Sequence, residues 1–242
     1  MRPEPTEETL SQSNLDAQEE SALRLLEKAL VKGEFGRAAL VSSFGADSAV
    51  LLHMISRVKR DAPVLFVDTR MLFQETLEYQ LELTEKFGLT DVRRITPDAE
   101  QVRRNDVFGR LHINDPDSCC ALRKTAPLDA ALEDFDAWIT GRKRHQADTR
   151  ADLKLIEQAD GRIKLNPLVF WERPEIAGYF EKHDLPRHPL VHKGFRSIGC
   201  GPCTSPVADG EDERAGRWRG RDKTECGIHF ENGKLVRTTV AA

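Results

Sequence analysis

AALVSSFGADSAVLLHMISRV, residues 38–58, reads as three pieces of secondary structure in succession. AALVSS (38–43) is an apolar run of strand length, SFGADS (43–48) gathers small and helix-capping residues, and VLLHMISRV (50–58) spaces its apolar side chains as a helix does. A strand that turns directly into a helix is half of a βαβ unit. The same pattern recurs outward. PVLFVDT (63–69) is a second buried strand ending on Asp68, and Phe73, Leu77, Leu81 and Leu83 follow on a helix that stops near Gly88. DVRRITP (91–97) is a third strand and DAWITG (136–141) a fourth. Upstream, Leu23, Leu26 and Leu30 place a helix between Leu15 and Lys32, with Gly33 as its stop. Alternation of this kind predicts an α/β fold: a parallel sheet, right-handed crossovers and helices on both faces.

The 242 residues suffice for one large domain, or a domain with an appendage. Apolar residues make up 39% and charged residues 31%, which excludes a disordered chain. No apolar run approaches the ~18 residues of a membrane span. MRPEPTEETL offers neither a basic nor an apolar leader region, so the expected location is the cytoplasm. Residues 1–36 hold eight acidic and four basic side chains, and the remainder is balanced. A neutral body with a local basic loop at 142–150 suits a small anionic ligand and not a nucleic acid. Three regions are expected: an acidic N-terminal tail and helix (1–36), a nucleotide-binding α/β domain with a cysteine site (37–205), and a C-terminal tail (206–242). The last has dense charge, Gly210, Gly216 and Gly220, and few large apolar side chains, and is expected to be mobile.

The strand–helix turn is the first candidate site. Gly45 lets the backbone approach a ligand, Ser48 offers a hydroxyl, and with Ala46 and Asp47 they open a helix whose first N–H groups face an anion. In an α/β sheet ligands bind at the carboxyl ends of the strands, where this turn and Asp68-Thr69 both lie. A nucleotide-like ligand is therefore expected there, against the plainer readings of a capped turn and, for Asp68, a helix cap. TGRKRHQADTR (140–150) follows the fourth strand, and Arg142, Arg144 and Arg150 form a candidate clamp on phosphate or sulfate. A basic run of this length is otherwise a solvated loop.

Five cysteines are present, an odd number that argues against a disulfide framework in a chain without an export signal. Cys119 and Cys120 stand at an expected helix start in DSCCALRKTAPL (117–128), with Asp117 or Ser118 as cap and Pro127 limiting the length. Cys200 and Cys203 share the turn GCGPC (199–203). Two such pairs favour a metal site over four buried apolar residues, zinc or an iron–sulfur cluster being the choices. Adjacent helical residues diverge by ~100°, which suits a cubane offering each thiolate its own iron better than a single zinc. The favoured cofactor is [4Fe–4S]. Cys226, in TECGIHF, is left over as a nucleophile candidate, with His229 placed to orient it or touch the ligand. Arg214 and Arg217 lie between the cysteine turn and Cys226 and are candidates to steer an anion.

The order SFGADS, VDTRMLFQET, CCALRKTAPL, TGRKRHQADTR, GCGPC and ECGIHF resembles the assimilatory adenylyl-sulfate reductases, over about residues 38–230. The resemblance implies an adenine-nucleotide α-hydrolase-like fold and a [4Fe–4S] cluster on Cys119, Cys120, Cys200 and Cys203. The presence of the cluster motif points to adenylyl sulfate over its 3′-phosphorylated form, which is the alternative substrate. Two departures stand out. Similar proteins read Asp-Thr-Gly where this chain has Asp68-Thr69-Arg70, and SFGADS lacks the double glycine of ATP-cleaving pyrophosphate loops, which weakens a tRNA sulfur-transferase reading. A redox sensor or zinc-stabilised binding module would leave Cys226 without a role.

A sulfate linked to AMP repels an incoming thiolate, so the site must neutralise its oxygens and deliver the nucleophile after binding. The expected positive field comes from the Gly45–Ser48 backbone, Lys124, Arg142, Arg150, Arg214 and Arg217. By resemblance, Cys226 attacks sulfur, AMP leaves, and reduced thioredoxin, or glutaredoxin in its place, releases sulfite. The cluster is expected to act electrostatically and structurally. A homo-oligomer is compatible with the sequence, and neither a nucleic acid nor a membrane is an expected partner.

Overall fold

The computed structural model describes residues 7–159, 161–223, 225, 230–231 and 234–235. Strands β1 (Ala38–Ser42), β2 (Val64–Val67), β3 (Val92–Ile95) and β4 (Ala137–Ile139) are followed by a hairpin of β5 (Ile156–Ala159) and β6 (Arg162–Leu165). They form one sheet in the order β3-β2-β1-β4-β6-β5. Every pairing within this sheet is parallel except β5 with β6. The chain therefore winds outward from β1 through β2 to β3, then returns to place β4 on the other side of β1. That reversal opens a crevice at the carboxyl ends of β1 and β4, the place where open α/β sheets bind ligands.

The strands are apolar nearly throughout because both faces are covered. On one face, Leu40, Val64, Phe66 and Ile139 join the core formed with α1 (Glu7–Leu30), α2 (Ser48–Val58), α3 (Gln74–Phe87) and the later helix Arg173–Lys182. Leu15, Ala22, Leu25, Leu26 and Ala29 bury one stripe of α1, so the helical part of the acidic N-terminal region is a structural layer of the body. On the other face, Ala39, Leu65, Val67 and Trp138 meet Leu128, Leu132 and Phe135. Gly88 ends α3 at φ 61°, a left-handed cap that a side chain would strain.

Between β3 and β4 the chain runs through α4 (Ala99–Asn105), α5 (Leu111–Asn114), α6 (Pro116–Cys120), a π-helical turn over Ala121–Thr125, and α7 (Ala126–Leu132). The helix carrying the paired cysteines thus continues past Pro127, contrary to the sequence expectation. Pro127 falls in the first turn of α7, directly after the π-helical turn, where the helical bonding is already displaced by one residue. The cap is Asp115, whose carboxylate accepts from Ser118 N at 3.0 Å, in place of the expected Asp117 or Ser118. After β6 the helix Arg173–Lys182, α8, completes the core. Residues 206–223 lie against the body: Ser205 N donates to Gly216 O, Trp218 N donates to Cys203 O, and Trp218 is 3% exposed. No described helix is long and apolar enough to cross a membrane.

Candidate active site

The turn after β1 is built under local constraint. Phe44 takes a left-handed backbone at φ 49° yet is fully buried, its ring packed edge-on against Phe66 at 5.0 Å. Such a conformation costs a bulky residue ~1–2 kcal/mol and persists only where packing enforces it. Ser42 Oγ accepts from Phe44 N at 3.1 Å and tightens the same turn. A Cβ on Gly45 would come to 3.3 Å from Ile198 O, so this glycine lets the turn close against the strand of chain leading to Cys200.

A cavity of about 240 Å³ opens here, at the crevice between β1 and β4. Gly45, Ala46, Asp47 and Ser48 line it from one side, and Arg142 and Arg150 from the loop after β4. Lys124, Arg214, Arg217 and Cys200 contribute the remaining chemistry. Residues from five segments, expected separately from sequence, are thereby brought to one place. Arg142 is already paired: its Nη2 lies 2.6 Å from Glu157 Oε2, and burial lowers its affinity for a proton, with Glu157 opposing. Asp68 and Thr69 are not brought into the cavity wall. Asp68 is buried and bound by Arg94 at 2.5 Å, and Thr69 Oγ1 lies 3.1 Å from Cys200 Sγ. Cys226 and His229 lie outside the described residues. Glu225, joined to Cys226 by a peptide bond, does line the cavity.

The cysteine pairs converge beside this cavity. Leu72 bridges the strand-like backbone at Cys200, and Gly201 N donates to Met71 O at 2.8 Å, fixing the GCGPC turn to the end of β2. Burial pushes the Cys119 thiol up to about 11; Arg123 counteracts this, while the neighbouring Cys200 and Cys203 add to the rise. Among the described residues no three His, Cys, Asp or Glu side chains meet closely enough for a single metal ion. Two buried donors nearby, Arg123 Nε and Trp218 Nε1, have no hydrogen-bond acceptor among the described residues.

Three site residues are not legible in the sequence. Arg123 is buried, paired with Asp106 at 2.8 Å, and its other arm reaches Thr69 O at 3.4 Å, so it ties the cysteine helix to the end of β2. Lys143 is buried against Asp47. Arg196 also lines the cavity. Their only sequence signal is charge, and the partners of Arg123 and Lys143 are distant along the chain.

The phosphoadenosine phosphosulfate reductase domain matches residues 37–206. An adenosine 5'-phosphosulfate reductase of Chelativorans sp. (strain BNC1) is 49% identical over 195 residues, covering 81% of this chain and 80% of the relative. One from Bacillus cereus is 39% identical over 234 residues, covering 93% and 99%. A phosphoadenosine 5'-phosphosulfate reductase of Gloeobacter violaceus is 40% identical over 198 residues, covering 80% and 82%. Among solved structures, phosphoadenylyl-sulfate reductase from Candida auris superposes with a TM-score of 0.64 at 23% identity, covering 86% of this chain and all of that one. Yeast FAD synthetase gives 0.53 at 19%, covering 85% and 70%. These two likenesses bear out the expected adenine-nucleotide α-hydrolase-like fold.

Proposed function

The chain belongs to the phosphoadenosine phosphosulfate reductase family, and from that premise we propose that it reduces adenylyl sulfate to sulfite and AMP, with Cys226 as nucleophile and a thioredoxin-type dithiol as electron source. It is an oxidoreductase acting on the sulfur of a sulfonucleotide, as its relatives' names imply. The observation carrying the reading is that Lys124, Arg150, Arg214 and Arg217 surround one cavity, at the switch point of the sheet, which Glu225, the residue before Cys226 in sequence, also lines.

The reaction demands that arrangement. The sulfo group is ringed by anionic oxygens, and guanidinium and ammonium groups fixed around it offset the charge that repels a thiolate. Backbone N–H groups at the start of α2 face the phosphate from the other side. Cys226 Sγ attacks sulfur, an S–S bond forms, the S–O bond to AMP breaks, and AMP departs with the electron pair. The S-sulfocysteine is then attacked at Cys226 Sγ by a thioredoxin thiolate. Sulfite leaves with the bonding pair, and thioredoxin's second thiol resolves the mixed disulfide. The two electrons come from the dithiol.

A [4Fe–4S] cluster would be held by Cys119, Cys120, Cys200 and Cys203. Four thiols in two loops, and the N–H groups of Arg123 and Trp218 that have no acceptor among the described residues, fit a cluster whose sulfurs accept hydrogen bonds. When bound, it supplies a fixed charge and a cross-link between the two loops. Lys124, four residues beyond Cys120, lines the cavity.

The test is sulfite release by the anaerobically purified chain with thioredoxin and, in turn, adenylyl sulfate, its 3′-phosphorylated form and ATP. Sulfite from adenylyl sulfate at the highest kcat/KM is expected. Preference for the 3′-phosphorylated form would favour the activity named for the Gloeobacter relative, and no sulfite from either overturns the reading. Cys226→Ser is expected to keep the brown colour and bind adenylyl sulfate, yet show no sulfo adduct by mass spectrometry. Labelled sulfur on another cysteine would refute the nucleophile.

A further inference from the structure

Glu225 occupies the place where an anion is wanted. Arg150 grips its carboxylate at two points, Nε to Oε1 at 2.6 Å and Nη2 to Oε2 at 2.9 Å, and Arg214 Nη2 stands 3.2 Å from the same Oε2. The Glu225 side chain is 17% exposed. Burial works against its ionisation, but the bond to Arg150 and the charges of Arg150, Arg214 and Arg142 outweigh it and keep the carboxyl below its ordinary range. A planar guanidinium binding two oxygens in parallel would grip a sulfo or phosphate group in the same way.

We propose that Glu225 is the resident counter-anion of the sulfo-group subsite: it holds Arg150 and Arg214 in the unliganded protein and is displaced when the substrate's sulfo group arrives. The inference rests on adenylyl sulfate being the substrate. Two like charges cannot both sit on this arginine pair without strong repulsion, so one must leave. The departing carboxylate is joined to the nucleophile by a single peptide bond. Backbone motion that carries Glu225 off the arginines therefore carries Cys226 as well, and it does so only once an anion has taken the subsite. Arginine alignment before binding and release of the nucleophile after it become two outcomes of one ion exchange.

Exchange makes a prediction opposite to that for an ordinary structural contact. Removing the Glu225 charge takes away a competitor, so an anionic ligand should bind more tightly, by about tenfold for a coupling of usual size. The experiment measures dissociation constants by calorimetry in the full chain, purified anaerobically, with Cys226→Ser as background to prevent turnover. Adenylyl sulfate and adenosine are the two probes. Glu225→Gln is expected to tighten adenylyl sulfate about tenfold and leave adenosine unchanged, while Glu225→Asp, which keeps the charge, stays near the background value. Unchanged or weaker binding of adenylyl sulfate in Glu225→Gln, or equal tightening of both probes, overturns the inference while leaving the substrate reading intact. Failure of the background protein to bind adenylyl sulfate at all strikes the substrate reading first and this inference with it. Glu225→Ala provides a second charge-free variant, and its adenosine affinity reports whether the cavity has kept its shape.

Discussion

Lys143 Nζ lies 2.9 Å from Asp47 Oδ2, with the lysine side chain 1% exposed and the aspartate 34%. A buried ammonium from the loop after β4 therefore grips the turn after β1, and the two walls of the crevice are tied together. Replacing Lys143 by Met leaves Asp47 without this partner. The cost should be about 2 kcal/mol, below the ~3–5 of a fully buried pair because Asp47 retains solvent contact. Chemical denaturation checks the stability. Steady-state kinetics should show KM up about tenfold with a smaller change in kcat, since the loss is in ground-state positioning. An unaltered KM would deny Lys143 that role.

Gly199 gives Arg217 its room. A Cβ there would run into the Arg217 guanidinium, which is the far end of a flexible side chain, so the arginine yields and the fold does not. Gly199→Ala should shift the melting temperature little while raising KM for the anionic substrate several-fold, on the order of one lost charge-assisted bond. A KM equal to that of the parent protein would mean that Arg217 does not need this position.

Arg70 sits at φ 60°, in the left-handed region that favours glycine. Its side chain is 58% exposed and lies 3.7 Å from Asp68, a carboxylate already bound by Arg94. Little is lost with the side chain, and the left-handed backbone is relieved. Arg70→Gly should therefore stabilise the protein by about 0.5–1 kcal/mol. A lower denaturation midpoint would contradict this.

His188 has no exposed surface; Thr76 Oγ1 lies 3.0 Å from its Nε2, and its Nδ1 accepts from Leu190 N at 3.2 Å. Burial lowers its pKa from 6.5 to about 4, Glu75 opposing weakly. The ring is thus neutral in the fold while the unfolded chain takes up a proton below 6.5. Stability should fall as pH drops from 6.5 toward 4, by up to about 3 kcal/mol from this residue. His188→Gln should flatten that part of the denaturation-midpoint profile relative to the parent chain. Glu19 acts in a lower window. Lys182, Arg57 and His183 overcome the effect of its burial and hold it at about 2, so its contribution is lost only as pH falls from 4.5 toward 2. Parallel pH profiles for the parent and His188→Gln would exclude the histidine as a cause.

The parallel strands and the helices packed on them are legible because Leu40, Phe66 and Ile139 sit in short apolar runs that only a doubly covered sheet accommodates. α1 begins at Glu7 and not near Leu15, because EETLSQSN has helix-compatible side chains without the apolar stripe that marks a buried face. The β5–β6 hairpin, α4 and α8 carry weaker periodicity and are not anticipated. Within the site, SFGADS and RKRHQADTR can be placed by following a strand to its carboxyl end. Lys143, Arg123 and Glu225 cannot, since their meaning depends on Asp47, Asp106 and Arg150, the last 75 residues away from Glu225. Pair partners of this kind are fixed by tertiary packing and leave no local pattern.

The wide turn over Ala121–Thr125 separates two sets of side chains with incompatible duties. Leu128 and Leu132 beyond it are anchored to the sheet, whereas Cys119 before it lies within electrostatic reach of Cys200 and Cys203. Winding the same residues as an ordinary α-helix would spin one set by about 100° against the other, one helical step. With the leucines pinned, both thiols would swing away from GCGPC. The spare residue works as a vernier: the wide turn sets the azimuth of the paired thiols, and a change that made this turn regular without shortening it would misaim them without touching either cysteine.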